Sequence, residues 1–163
     1  MKKQKVVVRA PFLTQTGYGE HGRFVLRALR ADGRFEIFAD AIEWGQTGWL
    51  WEANEEREWF DSLIRKTGEY LKNKGTFDFS IQVTIPAEWE KIAPVNIGVT
   101  AGIETTKMSA EWLQKTSVVN KVITISEHAK NGFLNTKYQY TDRETSQPGE
   151  LRCQAPVEVV HYP

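Results

Sequence analysis

Gly102-Ile103-Glu104-Thr105-Thr106-Lys107 follows an apolar run, and Val122-Ile123-Thr124-Ile125-Ser126-Glu127-His128 repeats that arrangement further along the chain. Both segments pass from apolar residues to charged and hydroxylic ones, a pattern typical of a buried strand that ends in a polar loop. Open α/β sheets bind their ligands outside the carboxyl ends of such strands. The two segments therefore predict an α/β sheet with polar clusters at the ends of adjacent strands.

Strands and helices alternate along the rest of the chain. β-Branched runs predict strands over residues 6–10, 36–42, 77–85, 96–101, 121–125 and 157–160. Helical spacing of apolar residues predicts helices over residues 23–31, 52–73, 109–115 and 127–134. The turn Gln147-Pro148-Gly149-Glu150 suggests a hairpin within residues 138–155. This alternation predicts one Rossmann-like domain over residues 1–163, a parallel sheet with helices on both faces.

The composition allows a buried core and gives no reason for binding polyanions. Of the 163 residues 40% are hydrophobic, and 21 Lys and Arg balance 21 Asp and Glu. A formal net charge of zero predicts no attraction to nucleic acid or to an anionic membrane. No apolar run suits a signal peptide or a transmembrane segment, and Cys153 is the single cysteine. A cytoplasmic location is therefore predicted.

A glycine pattern lies between the first predicted strand and helix. Gly17-Tyr18-Gly19-Glu20-His21-Gly22 matches G-x-G-x-x-G, and Asp40 and Glu43 follow at about the distance of a ribose-binding acid. Residues 9–16 separate the strand from the first glycine, however, whereas a dinucleotide site needs a tight turn. Three interpretations stay open: backbone contact with a nucleotide-sugar or acceptor, a structural turn, and a dinucleotide site.

Glu104, Thr105 and Lys107 follow a strand too apolar to be exposed, so they are predicted to line the mouth of a cleft. The structural alternative is helix capping together with a surface ion pair between Glu104 and Lys107.

Ser126, Glu127 and His128 occupy the next junction between a strand and a helix. Capping explains Ser126, and the first helical turn suits Glu127, which leaves His128 without a structural explanation. The three histidines are scattered and no D-x-D pair occurs, so no metal site is predicted.

Two further patterns have competing interpretations. The loop Trp44-Gly45-Gln46-Thr47-Gly48-Trp49-Leu50-Trp51 is predicted either to stack on a ligand or to pack under the next helix. The stripe of arginines on the first helix is predicted to be a solvated face, and it comprises Arg23, Arg27, Arg30 and Arg34.

Taken in order, four segments resemble the N-terminal half of a GT-B glycosyltransferase of the large retaining family 4. The resemblance covers nearly the whole chain. Its segments are Gly17-Tyr18-Gly19, then Ile103 to Lys107 with Trp112, then Val122 to His128 with Phe133, and the closing Val157-Glu158-Val159-Val160-His161-Tyr162-Pro163.

The resemblance implies transfer of a sugar from a nucleotide-diphosphate donor to an unknown acceptor, with no metal and no cofactor. It also implies a nucleotide-binding C-terminal domain that this chain lacks, so that the chain alone would be nearly inactive. Many relatives have a histidine in the region of Glu104, which leaves its role in donor binding and the catalytic residues unassigned. The implied cleft residues are Gly17, Tyr18 and Gly19 facing donor and acceptor, Glu104, Thr105 and Lys107 beside the sugar or acceptor, and Ser126, Glu127 and His128 at the wall.

Two other functions fit the same residues. One is a stand-alone Rossmann-like binding module without catalysis. The other is a dinucleotide-dependent oxidoreductase domain, which depends on the glycine pattern alone.

Overall fold

The computed structural model describes residues 1–163, and it confirms the α/β prediction. Six strands form one sheet in the order β2-β1-β3-β4-β5-β8, while β6 and β7 form a separate antiparallel hairpin. β1 runs parallel to β2 and β3, β4 to β5, and β5 to β8. The elements are β1 (Gln4–Ala10), α1 (Gly17–Asp32), β2 (Phe35–Ala41), α2 (Glu55–Lys72), β3 (Phe79–Val83), β4 (Val95–Thr100), α3 (Ala110–Lys115), β5 (Lys121–Thr124), α4 (Glu127–Asn135), β6 (Tyr138–Thr141), β7 (Pro148–Leu151) and β8 (Val157–Val159).

The order of the strands creates a switch point beside β1. The chain passes from β1 to β2 on one side and then crosses back to β3 on the other. The crevice outside the carboxyl ends of strands at such a reversal is where open α/β sheets bind ligands. Residues 11–16 leave β1 at this point and lead into α1.

Internal packing divides the chain into two compact units. The first comprises residues 1–84 with 92–96, and the second comprises residues 85–91 with 97–163. The expectation of a single domain stays a prediction. None of the helices combines the length and the apolar content that a bilayer crossing requires.

In the first unit, α2 covers the open edge of β2. The hydroxyl oxygen of Thr67 accepts a hydrogen bond from the Ala39 amide at 2.9 Å, and the Lys66 ammonium donates to the Ile37 carbonyl oxygen at 3.1 Å. Both backbone groups would otherwise be left for pairing with another strand. The apolar interior of this unit includes Val6, Val7, Val8, Leu26, Phe38 and Phe60.

The second unit has its own core, which supports the loops after β4 and β5. Phe133 of α4 and Leu113 of α3 are fully buried in it. The other fully or nearly fully buried members are Trp89, Met108, Val119, Val122, Ala155 and Val157.

The predicted start of the first helix was wrong. α1 begins at Gly17, six residues before the predicted start at Arg23, because Thr16 caps it by accepting a hydrogen bond from the Gly19 amide at 2.9 Å. Glycine has a low helix propensity, so the pattern of apolar residues hid the first turns.

The hairpin is confirmed, but its turn lies earlier than predicted. Pro148 and Gly149 belong to β7, and the turn lies between Asp142 and Gln147. Its geometry comes from the Asp142 carboxylate, which accepts hydrogen bonds from the amides of Glu144 and Thr145 at 2.8 and 2.9 Å.

Candidate functional site

The glycine loop joins the carboxyl end of β1 to the first turn of α1. Gly17 is the first helical residue, and Tyr18 and Gly19 follow it in that turn. A Cβ added to Gly19 would lie 2.3 Å from the Thr14 carbonyl oxygen, and one added to Gly22 would lie 2.8 Å from the Ala10 Cβ. The chain's own packing therefore requires both glycines, whatever the loop binds.

A buried arginine holds the segment between β1 and α1. The Arg23 guanidinium donates through Nη1 to the carbonyl oxygens of Phe12 and Thr14 at 2.9 and 2.8 Å. Its Nε and Nη2 donate to the Glu20 carboxylate at 3.0 and 2.5 Å. Only 7% of the Arg23 side chain is exposed, so the prediction of a solvated arginine face is wrong for this member. The other arginines of that stripe are exposed, namely Arg27, Arg30 and Arg34.

Two titrating groups precede this arginine on α1. The Arg23 guanidinium lowers the pKa of the Glu20 carboxyl through their hydrogen bond. Burial lowers the pKa of the His21 imidazole, because the charged form loses its hydration. At neutral pH the start of α1 therefore contains an ionised carboxylate and a neutral imidazole.

The tryptophan loop, defined as residues 44–51, is attached to the segment before α1. The Gln15 amide donates to the Gly48 carbonyl oxygen and the Leu50 amide donates to the Leu13 carbonyl oxygen, both at 2.8 Å. The rings of Tyr18 and Trp44 lie in contact, with centroids 5.0 Å apart. The structure therefore brings an aromatic loop against a predicted site residue, which the sequence did not indicate.

The loop after β4 is fixed at both of its ends. Gly102 has a φ of 81°, and a Cβ added to it would lie 2.6 Å from the Ala129 Cβ, so only glycine fits where the loop begins. At the other end the Met108 amide donates to the Thr136 hydroxyl oxygen at 3.0 Å, and the Tyr138 hydroxyl donates to the Met108 carbonyl oxygen at 2.7 Å.

Between these anchors the predicted site residues are exposed. Glu104, Thr105 and Lys107 all reach solvent. The Lys107 ammonium lies 4.4 Å from the centroid of the Tyr138 ring, and no ion pair joins it to Glu104. Ser109, rather than a residue of this loop, caps α3 by accepting from the Trp112 amide at 3.2 Å. Neither helix capping nor an ion pair with Lys107 therefore accounts for the Glu104 carboxylate.

The structure brings two of the predicted clusters together in the second unit. Nε2 of His128 lies 3.2 Å from the Glu104 carbonyl oxygen, a hydrogen bond when Nε2 carries the proton. Ser126 is the N-cap of α4 and accepts from the Ala129 amide at 3.1 Å, as its structural interpretation predicts. Glu127 and His128 are exposed in the first turn. The loops after β4 and β5 therefore form one polar surface.

Two residues that matter locally had little signal in the sequence. The burial of Arg23 was not predicted, because its regular spacing with the exposed arginines made it look like one of them. The only signal in the sequence was its partner Glu20, three positions earlier. Trp44 was singled out only as part of an aromatic loop, because nothing in the sequence paired it with Tyr18.

The other side chains that could bind a ribose or a metal ion either have a partner within the chain or are too scattered to form a site. The Asp40 carboxylate, one candidate for a ribose-binding acid, lies 3.6 Å from the Arg9 guanidinium. No three His, Cys, Asp or Glu side chains come together as a possible metal site.

Comparison of the chain with family models, with curated proteins and with solved structures found no match.

Proposed function

We propose that this chain is the acceptor-side domain of a retaining glycosyltransferase, which transfers a sugar from a nucleotide-diphosphate sugar to an acceptor. The observation that carries the proposal is the joining of the Glu104 loop to α4 through His128, at the carboxyl ends of the parallel strands β4 and β5. Ligands of open α/β sheets bind at that end of the strands. Sugar hydroxyls are donors and acceptors, so an exposed carboxylate, hydroxyl, ammonium and imidazole suit them.

The glycine loop gives separate support from the first unit. It leaves β1 at the switch point of the sheet and opens a helix of 16 residues. The amides of the first helical turn favour an anionic group such as a donor phosphate. Gly17 and Tyr18 would contact the donor in this way, whereas the Gly19 amide already donates to the Thr16 hydroxyl oxygen at 2.9 Å.

An oxidoreductase domain is less well supported. Residues 11–16 separate β1 from α1, whereas a dinucleotide fold places its first glycine almost directly after the strand. Gly19 is also explained by its approach to Thr14, and Asp40 has an arginine partner. A binding module without catalysis is the second candidate, since exposed polar loops suit recognition as well as reaction.

The proposal is tested on the full gene product, since the resemblance implies that transfer needs a second domain. The product is incubated with UDP-glucose, UDP-N-acetylglucosamine, GDP-mannose and ADP-glucose, and release of the nucleoside diphosphate is measured, with reduced nicotinamide binding measured in parallel. We expect release with one donor and no binding of the nicotinamide. Nicotinamide binding without release from any donor would favour the oxidoreductase instead.

Substitutions in the second unit locate the site. Glu104→Ala and His128→Ala should each lower turnover by roughly 10- to 100-fold, the effect of misplacing a substrate, without unfolding the chain. Glu111→Ala, an exposed carboxylate on α3, is the matched control and should keep full turnover. Near-normal turnover in both site variants would remove these residues from the site.

A further inference from the structure

The tryptophan loop exposes two of its rings. Trp51 is 88% exposed and Trp49 is 40% exposed, while Leu50 between them is half-buried. Large aromatic surfaces left in water are unfavourable, and a cluster of them commonly marks a binding site. Neither ring contributes to the core of the first unit, so the core does not explain why they are tryptophans.

The backbone of the loop is held independently of these rings. Trp49 forms an isolated antiparallel bridge with Thr14, and the Leu50 amide donates to the Leu13 carbonyl oxygen at 2.8 Å. The Arg57 guanidinium donates to the Leu50 carbonyl oxygen at 2.5 Å. The two rings are therefore presented on a fixed frame, which lowers the entropy lost when a ligand binds.

Carboxylates outnumber cations around the rings, because the Arg57 guanidinium at the Leu50 carbonyl oxygen is itself paired with the Asp61 carboxylate at 3.0 Å. No lysine or arginine occurs between Arg34 and Arg57, whereas Glu43, Glu52 and Glu55 are all exposed. Such a surface repels nucleic acid and anionic lipid. Carboxylates are acceptors and therefore suit a ligand rich in hydroxyl donors.

From these observations we propose that the tryptophan loop binds a neutral saccharide chain. The C–H groups on one face of a pyranose ring carry partial positive charge and match the negative face of an indole. The hydroxyl groups at the ring edge can donate to the neighbouring carboxylates and to the Gln46 amide oxygen. A quaternary ammonium ligand fits less well, because an aromatic cage encloses its cation whereas Trp51 is open.

This inference deepens the proposed function, since it makes the acceptor of the transfer a saccharide and places it beside the glycine loop. The tryptophan loop belongs to the same unit as Tyr18, and Trp44 connects the two through the ring contact. Binding of the saccharide needs no donor, so it is measured separately from transfer.

The test measures binding of cellohexaose, maltohexaose, chitohexaose and mannohexaose to the chain by tryptophan fluorescence and calorimetry, without nucleotide. We expect one of the four to bind, Trp51→Ala to weaken that binding about tenfold or more, and Trp51→Tyr to retain most of it. Tyr140→Ala removes a ring that is 53% exposed in the second unit and should leave the affinity unchanged. Thermal unfolding of each variant checks that the fold is intact.

Three results would overturn the inference. The first is that none of the four oligosaccharides binds. The second is that the Trp51→Ala variant binds an oligosaccharide as tightly as the unchanged chain does. The third is that the chain binds phosphatidylcholine vesicles or choline and does not bind the sugars. Saccharide binding without release from any nucleotide sugar would instead refute the transferase and keep the saccharide site, as expected of a binding module.

Discussion

Arg23 shows how one buried side chain can set the shape of a loop next to a candidate site. Its guanidinium satisfies two backbone carbonyl oxygens of the segment after β1 and also bonds to Glu20. A buried guanidinium is retained in a fold only where its donors are satisfied. The position of the glycine loop therefore depends on a residue that does not contact the proposed ligands.

Replacing Arg23 should destabilise the chain. Arg23→Met removes the donor of both the Phe12 and the Thr14 carbonyl oxygens, and each buried group left unpaired costs about 1–3 kcal/mol. The free energy of unfolding in urea measures the effect. The matched control is Arg27→Met, which removes an exposed guanidinium paired with Glu56 and should change stability by about 1 kcal/mol or less. Equal effects in the two variants would show that Arg23 has no special structural role.

Among the secondary structure elements, α2 ends in a conformation that its sequence does not favour. Lys74 has a φ of 57°, while the glycine that follows it has no positive φ. The Gly75 amide donates to the Tyr70 carbonyl oxygen at 2.8 Å, and a Cβ on Gly75 would lie 2.4 Å from the Tyr70 ring. Gly75 is therefore needed for its small size, and Lys74 takes the left-handed position.

Lys74→Gly should stabilise the chain. The left-handed conformation costs a residue with a side chain about 1–2 kcal/mol, so removing the side chain should raise the free energy of unfolding by up to about 1 kcal/mol. Gly75→Ala should lower it, because the new methyl group meets the Tyr70 ring. Urea unfolding of both variants checks the pair. A loss of stability in Lys74→Gly would show that the lysine side chain contributes more than the strained backbone costs.

For the chain as a whole, two groups at the start of α1 make stability depend on pH in the same direction. The folded pKa of His21 is lowered by burial, so the unfolded state binds more protons once the pH falls below about 6.5. The folded pKa of Glu20 is lowered by Arg23, so its contribution is lost as the pH falls from about 4.5 through the folded value. Both effects weaken the fold in acid.

We expect the urea concentration at the midpoint of unfolding to decrease as the pH is lowered from 7.5 to 5.5, a range in which the carboxylates are still ionised. His21→Gln should remove most of this first decrease and keep the decrease below pH 4.5. His161→Gln, on an exposed histidine at the end of the chain, is the control and should behave like the unchanged protein. A decrease of the same size in His21→Gln would exclude His21 as its cause.

Most elements were predictable because apolar periodicity reports burial directly. The predicted strand over residues 121–125 corresponds to Lys121–Thr124, and the predicted helix over residues 127–134 corresponds to Glu127–Asn135. Helix α1 was placed late because its first turn contains two glycines, and one of them, Gly19, is required by the approach of Thr14 and not by helix propensity. A local sequence pattern does not predict a residue whose type is required by contact with an atom outside that element.

The amino-acid sequence alone was enough for the α/β class and for the polar loops after β4 and β5, because both follow from which residues avoid water. Contacts between residues far apart in the chain required the tertiary structure. The Nε2 of His128 meets the Glu104 carbonyl oxygen across 24 positions, and the Tyr18 ring meets the Trp44 ring with all of β2 between them in the chain. Arg23 is buried for the same reason, since the carbonyl oxygens that bind it lie 9 and 11 positions earlier. Periodicity describes one element at a time, whereas these partners are chosen by how the elements pack.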